Sequence, residues 1–224
     1  MVRKKGAAVM MVMVDVSPEL DADFNAWYEE EHVPDLLGMP GFLNAGRYQA
    51  IKGGPRYLAL YELESAHALQ TPEYLNVRNN PSDWTRRISL GTNGNNYVRN
   101  VYTQIYPESD DENTLGRGMA PALQIGRMEV PADIESKYNE YYDTVRTPSN
   151  LTVPGCLYVR RYTALEGDPK YLTIYEFEHE KVPETAAWEE RRSQDRMHEF
   201  IGGNYGHASG SPGVYRRIFP SRSF

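Results

Sequence analysis

Apolar and polar positions alternate along the chain in a way that predicts short strands and helices. Residues 8–16 are apolar and rich in Val and Met, which predicts a buried strand. Ser17-Pro18 then supplies a helix cap with proline at the first helical position. The 24/27/28/31/32 spacing lays one stripe along this helix, which we expect to run over 18–33 and to end at Pro34.

The segments that follow predict a hairpin, a second helix and a closing strand. Residues 42–51 and 56–63 alternate in polarity and flank KGGP, whose glycines allow the positive φ of a tight turn. A second helix is predicted over 65–78 and a last strand over 97–106. The order β-α-β-β-α-β is the ferredoxin-like arrangement of α+β proteins, in which helices cover one face of an antiparallel sheet.

The same sequence pattern recurs 114 positions later. Matching positions are Phe24-Asn25 and Tyr138-Asn139, Pro40-Gly41 and Pro154-Gly155, Arg47-Tyr48 and Arg161-Tyr162, and Tyr61-Glu62 and Tyr175-Glu176. The last strand matches after a slip of one residue. So many matches at one offset predict two ferredoxin-like repeats, residues 1–106 and 122–224, joined by a linker at 107–121 that has little to bury.

The two predicted repeats have complementary surfaces. Each four-stranded sheet would leave one apolar face uncovered, and the chain itself offers a second sheet of the same kind. We therefore expect an intramolecular, pseudo-dimeric α+β barrel with pseudo-twofold symmetry. In the second repeat the helix around 183–200 is expected to be longer and more highly charged than its counterpart.

Composition narrows the classes of partner. A net charge of −7 opposes binding to nucleic acid or anionic lipid, and no stretch is long and apolar enough to span a bilayer. The opening MVRKKGAAVMMVMV is interpreted as a strand rather than a signal peptide. Cys156 is the single cysteine, so no internal disulfide forms and a cytoplasmic location is expected. Seventeen tyrosines suit either the walls of an aromatic pocket or a tyrosine-rich sheet.

Four motifs resemble the EthD-like branch of the dimeric α+β barrel superfamily. They are F-N-x-W-Y-x-x-E-H-V-P at 24–34, P-G-F at 40–42, R-Y at 47–48 and G-G-P-R-Y-L-A-L-Y-E-L at 53–63. Those proteins usually pair two one-unit chains, whereas two units are expected to be fused here. The superfamily includes cofactor-free monooxygenases, isomerases, polyketide cyclases, decarboxylases and haem enzymes, so the fold does not select a reaction.

The resemblance also implies where a site lies. In such proteins the small-molecule pocket lies between the helices and the sheet of one unit. The resemblance therefore implies that Trp27, Tyr28 and His32 face a pocket, with Arg47 and Tyr61 as pocket-facing strand residues.

His32 is the strongest candidate for chemistry. Its spacing from Phe24 and Tyr28 places it on the sheet-facing side of the helix. In the last helical turn it could act as an acid or base with a pKa near neutrality, or be a buried histidine bonded to a backbone carbonyl. The second repeat has Arg146 at this position, so the fold does not require the histidine. This comparison favours a functional His32, with the second repeat as a scaffold or a divergent site.

Two further candidates have alternative roles. Asp35 would either orient His32 or cap the following turn. Arg47 has a counterpart in Arg161, which favours a structural ion pair or a role at the sheet edge over binding of a substrate carboxylate.

Two polar segments are assigned mainly structural roles. Glu29, Glu30 and Glu31 are predicted to form a solvated helix face. The segment 202–213, which contains Tyr205 and His207, is either a lid or a long connection, with a connection preferred.

Metal and cofactor motifs are not found. The five histidines form no H-x-x-H or H-E-x-x-H pair and have no cysteine partners, so we expect no metal site. There is also no G-x-G-x-x-G after a strand, no P-loop and no G-x-S-x-G motif. We expect no cofactor, although haem held by a lone histidine stays open.

These observations predict a cofactor-independent enzyme acting on a small aromatic or polyketide-like anion. His32 would move a proton in a lyase, isomerase or cyclase reaction, and Trp27, Tyr28 and Tyr61 would form the pocket walls. The alternatives are a cofactor-free monooxygenase and a non-catalytic small-molecule-binding accessory protein. The expected partner is the small molecule, and a homodimer of the two-repeat chain is left open.

Overall fold

Eight long strands form a closed antiparallel barrel with short helices on its outside. The computed structural model describes residues 6–108, 118–202 and 205–220. The strands of the first half are β1 (Ala8–Asp15), β2 (Phe42–Lys52), β3 (Tyr57–Leu63) and β4 (Asn95–Tyr106). Those of the second half are β5 (Ala122–Glu129), β6 (Cys156–Glu166), β7 (Tyr171–Phe177), the two-residue β8 (Gly206–His207) and β9 (Gly213–Phe219).

The strand order closes the sheet on itself. It runs β7-β6-β4-β1-β3-β2-β9-β5, and a further pairing of β5 with β7 completes the circle. The halves meet edge to edge, through β4 with β6 and β2 with β9, and the short β8 pairs with β5. Closure in this way leaves the eight long strands no free edge, which would otherwise be open to aggregation. The fold is thus a mixed α/β structure around a closed eight-stranded antiparallel barrel.

The burial of strand β1 explains the apolar run at residues 8–16. Its residues alternate between the barrel interior and the layer under the helices, and both faces are buried. Val9, Met11 and Met13 point into the barrel interior, while Met10 and Val12 face the helices. A strand buried on both faces needs a continuous apolar run, as this segment has.

The helices lie in corresponding places in the two halves. The first half contains α1 (Pro18–Trp27), a π-helical turn (Tyr28–His32), α2 (Val33–Leu37), a 3₁₀ turn (Ala66–Gln70), α3 (Pro72–Asn79), α4 (Asp83–Ile88) and α5 (Leu90–Asn93). The second half contains α6 (Glu135–Tyr141), a π-helical turn (Tyr142–Arg146), α7 (Thr147–Asn150), a 3₁₀ turn (Val182–Glu184), α8 (Ala186–Ser193) and α9 (Met197–Ile201). Strands β1 to β3, the π-helical turn and α3 each recur at an offset of 114 residues.

The first helix continues beyond its predicted end. Pro34 was expected to stop it, but α2 extends to Leu37. The reason is the preceding π-helical turn, in which the N–H of Val33 donates to the carbonyl of Tyr28, five residues back. Pro34 then occupies the first turn of α2, where its missing N–H costs little.

The predicted second helices are broken in both halves. In the first half the break is at Thr71, whose hydroxyl accepts a hydrogen bond from the N–H of Tyr74 and starts α3 at Pro72. In the second half Thr185 caps α8 in the same way through the N–H of Trp188. The expected single helix at 183–200 is therefore wrong, because a capping threonine begins a new helix in each half.

The described end of the predicted linker is packed against the barrel. Met119 and Ala120 are buried, and the Ala120 carbonyl accepts a hydrogen bond of 3.0 Å from the hydroxyl of Tyr48. Residues 109–117 lie outside the described part of the chain. The expectation that this segment buries little is thus wrong at its end. Among the described helices, none has the length and apolar character needed to cross a membrane.

Candidate functional site

A cavity of about 420 Å³ lies in the first half, between the helices and the outer face of the sheet. We call it the first cavity. Its inner wall is formed by Met10, Val12, Trp27, Tyr28, His32 and Leu36. The buried Tyr74 lies beside Met10, and the more exposed Arg78, Arg86, Tyr97 and Arg99 form the rim. The expectation of a pocket between the helices and sheet of one unit matches this location.

The π-helical turn directs three candidate residues to this wall. Trp27, Tyr28 and His32 lie within or beside the turn and all line the first cavity. A π-helical turn widens the helix and changes the direction of the side chains that follow it, and such turns are frequent at functional sites. The sequence stripe alone does not reveal this local widening.

Hydrogen bonds hold the Trp27 ring in place. The indole Nε1–H donates to Glu31 Oε1 at 3.2 Å and to Thr85 Oγ1 at 3.0 Å. The same carboxylate oxygen of Glu31 accepts hydrogen bonds from Ser82 Oγ at 2.5 Å and from Thr85 Oγ1 at 3.1 Å. Glu31 was predicted to lie on a solvated face with Glu29 and Glu30. It instead joins the π-helical turn to α4, because it is the acceptor for three donors.

The His32 imidazole is packed among aromatic rings. It is stacked on Trp27 with centroids 4.3 Å apart, and it makes edge contacts with Tyr28 at 5.3 Å and Tyr61 at 6.3 Å. Among the described residues, no hydrogen-bond partner of this ring is found. The imidazole is half-buried and lines the first cavity.

Burial and charge make His32 a neutral group at physiological pH. Burial is the larger cause and the nearby Arg47 guanidinium the smaller, and together they lower the pKa of His32 to about 4. The predicted pKa near neutrality is therefore wrong. The helix does not end at His32, so the C-terminal dipole that would favour the charged form lies further on, at Leu37.

Arg47 lies behind the cavity wall rather than on it. It is 1% exposed, and its guanidinium carbon lies over the rings of Phe24, Tyr28 and Tyr57 at 5.0, 4.3 and 5.6 Å. Its Nη2 donates to Asn25 Oδ1 at 2.8 Å. These contacts favour a structural role, and the structure does not place Arg47 where it would touch a molecule in the first cavity.

The remaining two predicted site residues also lie off the cavity. Tyr61 is fully buried beside His32, and its hydroxyl has no hydrogen-bond partner in the described part of the chain. Burial raises the pKa of Tyr61 well above the usual range. Asp35 is exposed on α2. In the described hydrogen bonds, its carboxylate has none to His32, so the proposed orienting role has no support. Tyr61 supports the imidazole from behind.

Three arginines on the rim were not identified from the sequence. Arg99 is held in place by Glu166 of the second half, with Nη1 to Oε2 at 2.8 Å, and by the hydroxyl of Tyr74 at 3.3 Å. Arg78 and Arg86 complete the group. Arg78 recurs in the second half as Arg192, the one signal by which the sequence could have marked it.

A second cavity, of about 230 Å³, occupies the corresponding place in the second half. Six of its lining residues are the counterparts, at the offset of 114, of residues that line the first cavity. In the order first to second, they are Met10 and Gln124, His32 and Arg146, Leu36 and Asn150, Tyr74 and Trp188, Arg78 and Arg192, and Pro81 and Asp195. The position of the imidazole is thus taken by a guanidinium, which forms an ion pair with Asp195.

The segment 202–213 is partly incorporated into the sheet. Gly206 and His207 form β8 and pair with β5, and Tyr205 stacks on His198 with centroids 4.9 Å apart. Residues 203–204 lie outside the described part of the chain. These contacts fit the interpretation of this segment as a connection better than its interpretation as a lid.

The histidines do not form a metal or haem site in the described part of the chain. No group of three or more His, Cys, Asp or Glu side chains there could hold a metal ion. Among the described residues that line the two cavities, His32 is the only histidine. A histidine that holds a metal is oriented by a hydrogen bond to its other ring nitrogen. The His32 imidazole has only ring contacts in the described part of the chain, so the residues present lack the support that a haem ligand has.

Residues 7–203 match the sequence profile of the family described as a domain of unknown function, DUF4286. The chain belongs to this family. No curated protein sequence matches the chain.

Solved structures with the same fold cover nearly the whole chain. An anthrone oxidase-like protein has 10% identity and a TM-score of 0.61, with 98% of this chain and 93% of that chain covered. A candidate monooxygenase from Lactobacillus acidophilus NCFM has 10% identity and a TM-score of 0.57, with 94% and 93% covered. A haem-binding protein from Thermus thermophilus has 15% identity and a TM-score of 0.53, with 95% and 91% covered. At such low identities, the TM-scores show a shared fold alone, that of the dimeric α+β barrel proteins.

Proposed function

We propose that the chain is a cofactor-independent enzyme that takes a proton from a small aromatic anion bound in the first cavity. The observation that carries this proposal is a neutral imidazole, His32, on the wall of a 420 Å³ cavity lined by aromatic rings. A neutral imidazole can accept a proton, whereas a charged one cannot.

The shape and lining of the cavity support an aromatic ligand. Its volume falls in the range of about 300–1,000 Å³ that is typical of small-molecule sites. Trp27, Tyr28, Tyr74 and Tyr97 supply ring faces and edges against which a flat molecule packs. Tyr97 is 41% exposed, so the ring nearest to solvent is available to a ligand that enters from the rim.

The rim supports an anionic ligand. Arg78, Arg86 and Arg99 surround the opening, although the whole chain carries a net charge of −7. Arg99 is the most fixed of the three because two partners hold its guanidinium. Arginine binds carboxylates well because its planar fork can donate two parallel hydrogen bonds. A carboxylate at the rim would place the aromatic ring of the ligand toward His32.

The proposed step is a proton transfer with no net redox change. A proton leaves a carbon beside a carbonyl group, or a phenol oxygen, and the imidazole of His32 accepts it. The electron pair of the broken bond stays on the substrate as an enolate or phenolate. The imidazolium then returns the proton to a different atom or to a leaving group, as in an isomerase, cyclase or lyase. The low pKa makes His32 a weak base, and the negative charge formed beside it stabilises the imidazolium.

We further propose that the chain arose by duplication of an EthD-like unit. The support is the shared offset of 114 residues in sequence motifs, element bounds and cavity-lining positions. On this proposal, residues 1–106 and 122–224 are two ferredoxin-like repeats that form an intramolecular pseudo-dimer. The first repeat then carries the proton-transfer site.

Deuterium exchange tests the proposal without knowledge of the full reaction. Mono- and bicyclic hydroxyaromatic acids that also carry a C–H beside a ketone are incubated with the protein in D₂O, and loss of this C–H signal is followed by NMR. We expect exchange by the natural protein, and a loss of about 100-fold or more for His32→Gln with ligand affinity retained. His67→Gln is the matched control, because His67 is exposed and does not line the first cavity.

Two results would replace the proposal by its alternatives. Oxygen consumption that follows ligand deprotonation would indicate a cofactor-free monooxygenase, since an electron-rich phenolate in a dry pocket can react with oxygen. Binding without exchange, by both the natural protein and His32→Gln, would indicate a non-catalytic binding protein.

A further inference from the structure

We infer that the second cavity is a separate binding site for a small anion rich in hydrogen-bond acceptors, such as a short dicarboxylate or a phosphate-bearing molecule. This site is independent of the function proposed for the first cavity. It has the same place in its half of the barrel, but its chemistry differs.

The floor of the second cavity is polar where that of the first is apolar. Gln124 stands at the position of Met10, and Asn150 at the position of Leu36. Placing polar side chains in a cavity costs free energy unless they have partners. Among the described residues the Gln124 amide has no hydrogen-bond partner, and a ligand that accepts hydrogen bonds would supply one.

More donors than acceptors remain available in this cavity. Within the described ranges, neither the Trp188 indole N–H nor the buried Nε of Arg191 has a hydrogen-bond partner. Lys52, from the end of β2 in the first half, adds an ammonium group with no ion pair in the described residues. These groups all donate and cannot accept hydrogen bonds.

Most of the acidic groups in the cavity are already neutralised. Ion pairs join Asp195 to Arg146, Glu189 to Arg192 at 2.7 Å, and Glu180 to Arg216 at 3.8 Å. Of the lining carboxylates, Glu184 is left without an ion pair in the described residues. Among the described lining residues, two cations, Lys52 and Arg191, therefore lack an ion pair against one anion, Glu184, and an anionic ligand would balance the charge.

The two cavities differ in volume and therefore suit ligands of different size. The second cavity has about 230 Å³ and the first about 420 Å³. The smaller volume lies below the range typical of drug-sized ligands, so it suits a molecule of few heavy atoms. Because Ile51 and Lys52 of the first half close one side, a bound anion would also contact both halves.

Titration calorimetry with three probes tests this inference: inorganic phosphate, malonate and citrate. We expect saturable binding of at least one probe, weakened about tenfold or more by Gln124→Met and by Arg191→Met. Gln124→Met introduces the residue that the first half has at this position, so it should fold. Arg196→Met is the matched control, because Arg196 is an exposed arginine outside the cavity, and it should bind as the natural protein does.

The outcomes separate the ligand source and the proposed function. Binding of phosphate alone indicates a phosphate-bearing ligand, and binding of malonate or citrate alone indicates a carboxylate. His32→Gln should leave this binding unchanged, because His32 lines the other cavity. The inference is overturned if no probe binds with a Kd below about 10 mM, or if the two variants bind as the natural protein does.

Discussion

The two halves of the barrel have matching residues beneath the helices and different residues on the walls of the two cavities. Arg47 and Arg161 are both buried beneath the helices, each over three aromatic rings and each bonded to an asparagine. His32 and Arg146 occupy one position at the end of equivalent π-helical turns, but they have different chemistry. The comparison therefore divides the chain into a shared framework and two specialised cavities.

One buried charge breaks this symmetry inside the barrel. Arg160 is buried and bonds to Glu62 at 2.6 Å and to Glu176 at 2.9–3.1 Å, so it links the two halves. Its counterpart is Gly46, where an added Cβ would lie 2.8 Å from the ring of Tyr48. The second half thus has room for a large side chain at this position, and the first half does not.

The largest expected effect is the loss of this central charge. Arg160→Met leaves the carboxylates of Glu62 and Glu176 without their shared guanidinium, and removal of one member of a buried ion pair costs about 3–5 kcal/mol. Urea denaturation should show a fall of that size in the free energy of unfolding. A fall below about 1 kcal/mol would mean that Arg160 does not hold the halves together.

The shared framework predicts equal effects from two matched variants. Arg47→Met and Arg161→Met each remove a guanidinium from three aromatic rings and from an asparagine oxygen. Each should lower the free energy of unfolding by about 3 kcal/mol. If only one of the pair destabilises the protein, the two positions are not equivalent and the less sensitive arginine has a different role.

The lowered pKa of His32 predicts a pH dependence of stability. The unfolded histidine has a pKa of about 6.5 and the folded one about 4, so the unfolded chain binds more protons between these values. The contribution is present in full above pH 6.5 and is lost as the pH falls toward 4. After allowance for the open side of the cavity, we expect this contribution to the free energy of unfolding to be about 2 kcal/mol.

The variant His32→Phe isolates this contribution. It keeps an aromatic ring in the stack on Trp27 but cannot bind a proton. The difference in unfolding free energy between variant and natural protein, measured by urea denaturation, should shift in favour of the variant as the pH falls from 7 to about 4. A difference independent of pH would contradict the lowered pKa.

The smallest predicted effect concerns the contact between the second half and the first cavity. Glu166→Gln removes the ion pair that holds Arg99 on the rim, and this partly exposed pair contributes about 0.2–1 kcal/mol. The affinity for a hydroxyaromatic acid should fall about two- to fivefold by fluorescence titration. Lys52→Met changes the counterpart position and should leave this affinity unchanged, whereas an equal loss would point to a general charge effect.

The strands could be predicted from the sequence because their signals are local. The hairpin of β2 and β3 follows from its glycine turn and alternating polarity, and β1 from its apolar run. The predicted end of the first helix was wrong. The prediction that a proline ends a helix assumes a regular α-helix, and a π-helical turn precedes Pro34 here.

The candidate site could be predicted only in part. Comparison of the two halves of the sequence identified His32, because its counterpart at the offset of 114 is Arg146, so the shared pattern does not require a histidine there. Arg78, Arg86 and Arg99 come from α3, α4 and β4, and only the folded chain brings them to one rim. The pKa of His32 depends on burial among these elements. Its position in the helix alone predicted a pKa near neutrality, whereas burial lowers this pKa.

An NMR titration of the His32 imidazole tests most directly that the first cavity holds a neutral proton acceptor. The assigned ring signals would be followed between pH 3 and 8, with His32→Gln used for assignment, alone and with a saturating hydroxyaromatic acid. The account predicts a pKa of about 4 in the free protein and a change in the ring signals on ligand binding. A pKa of about 6.5, with no response to any ligand, would contradict it.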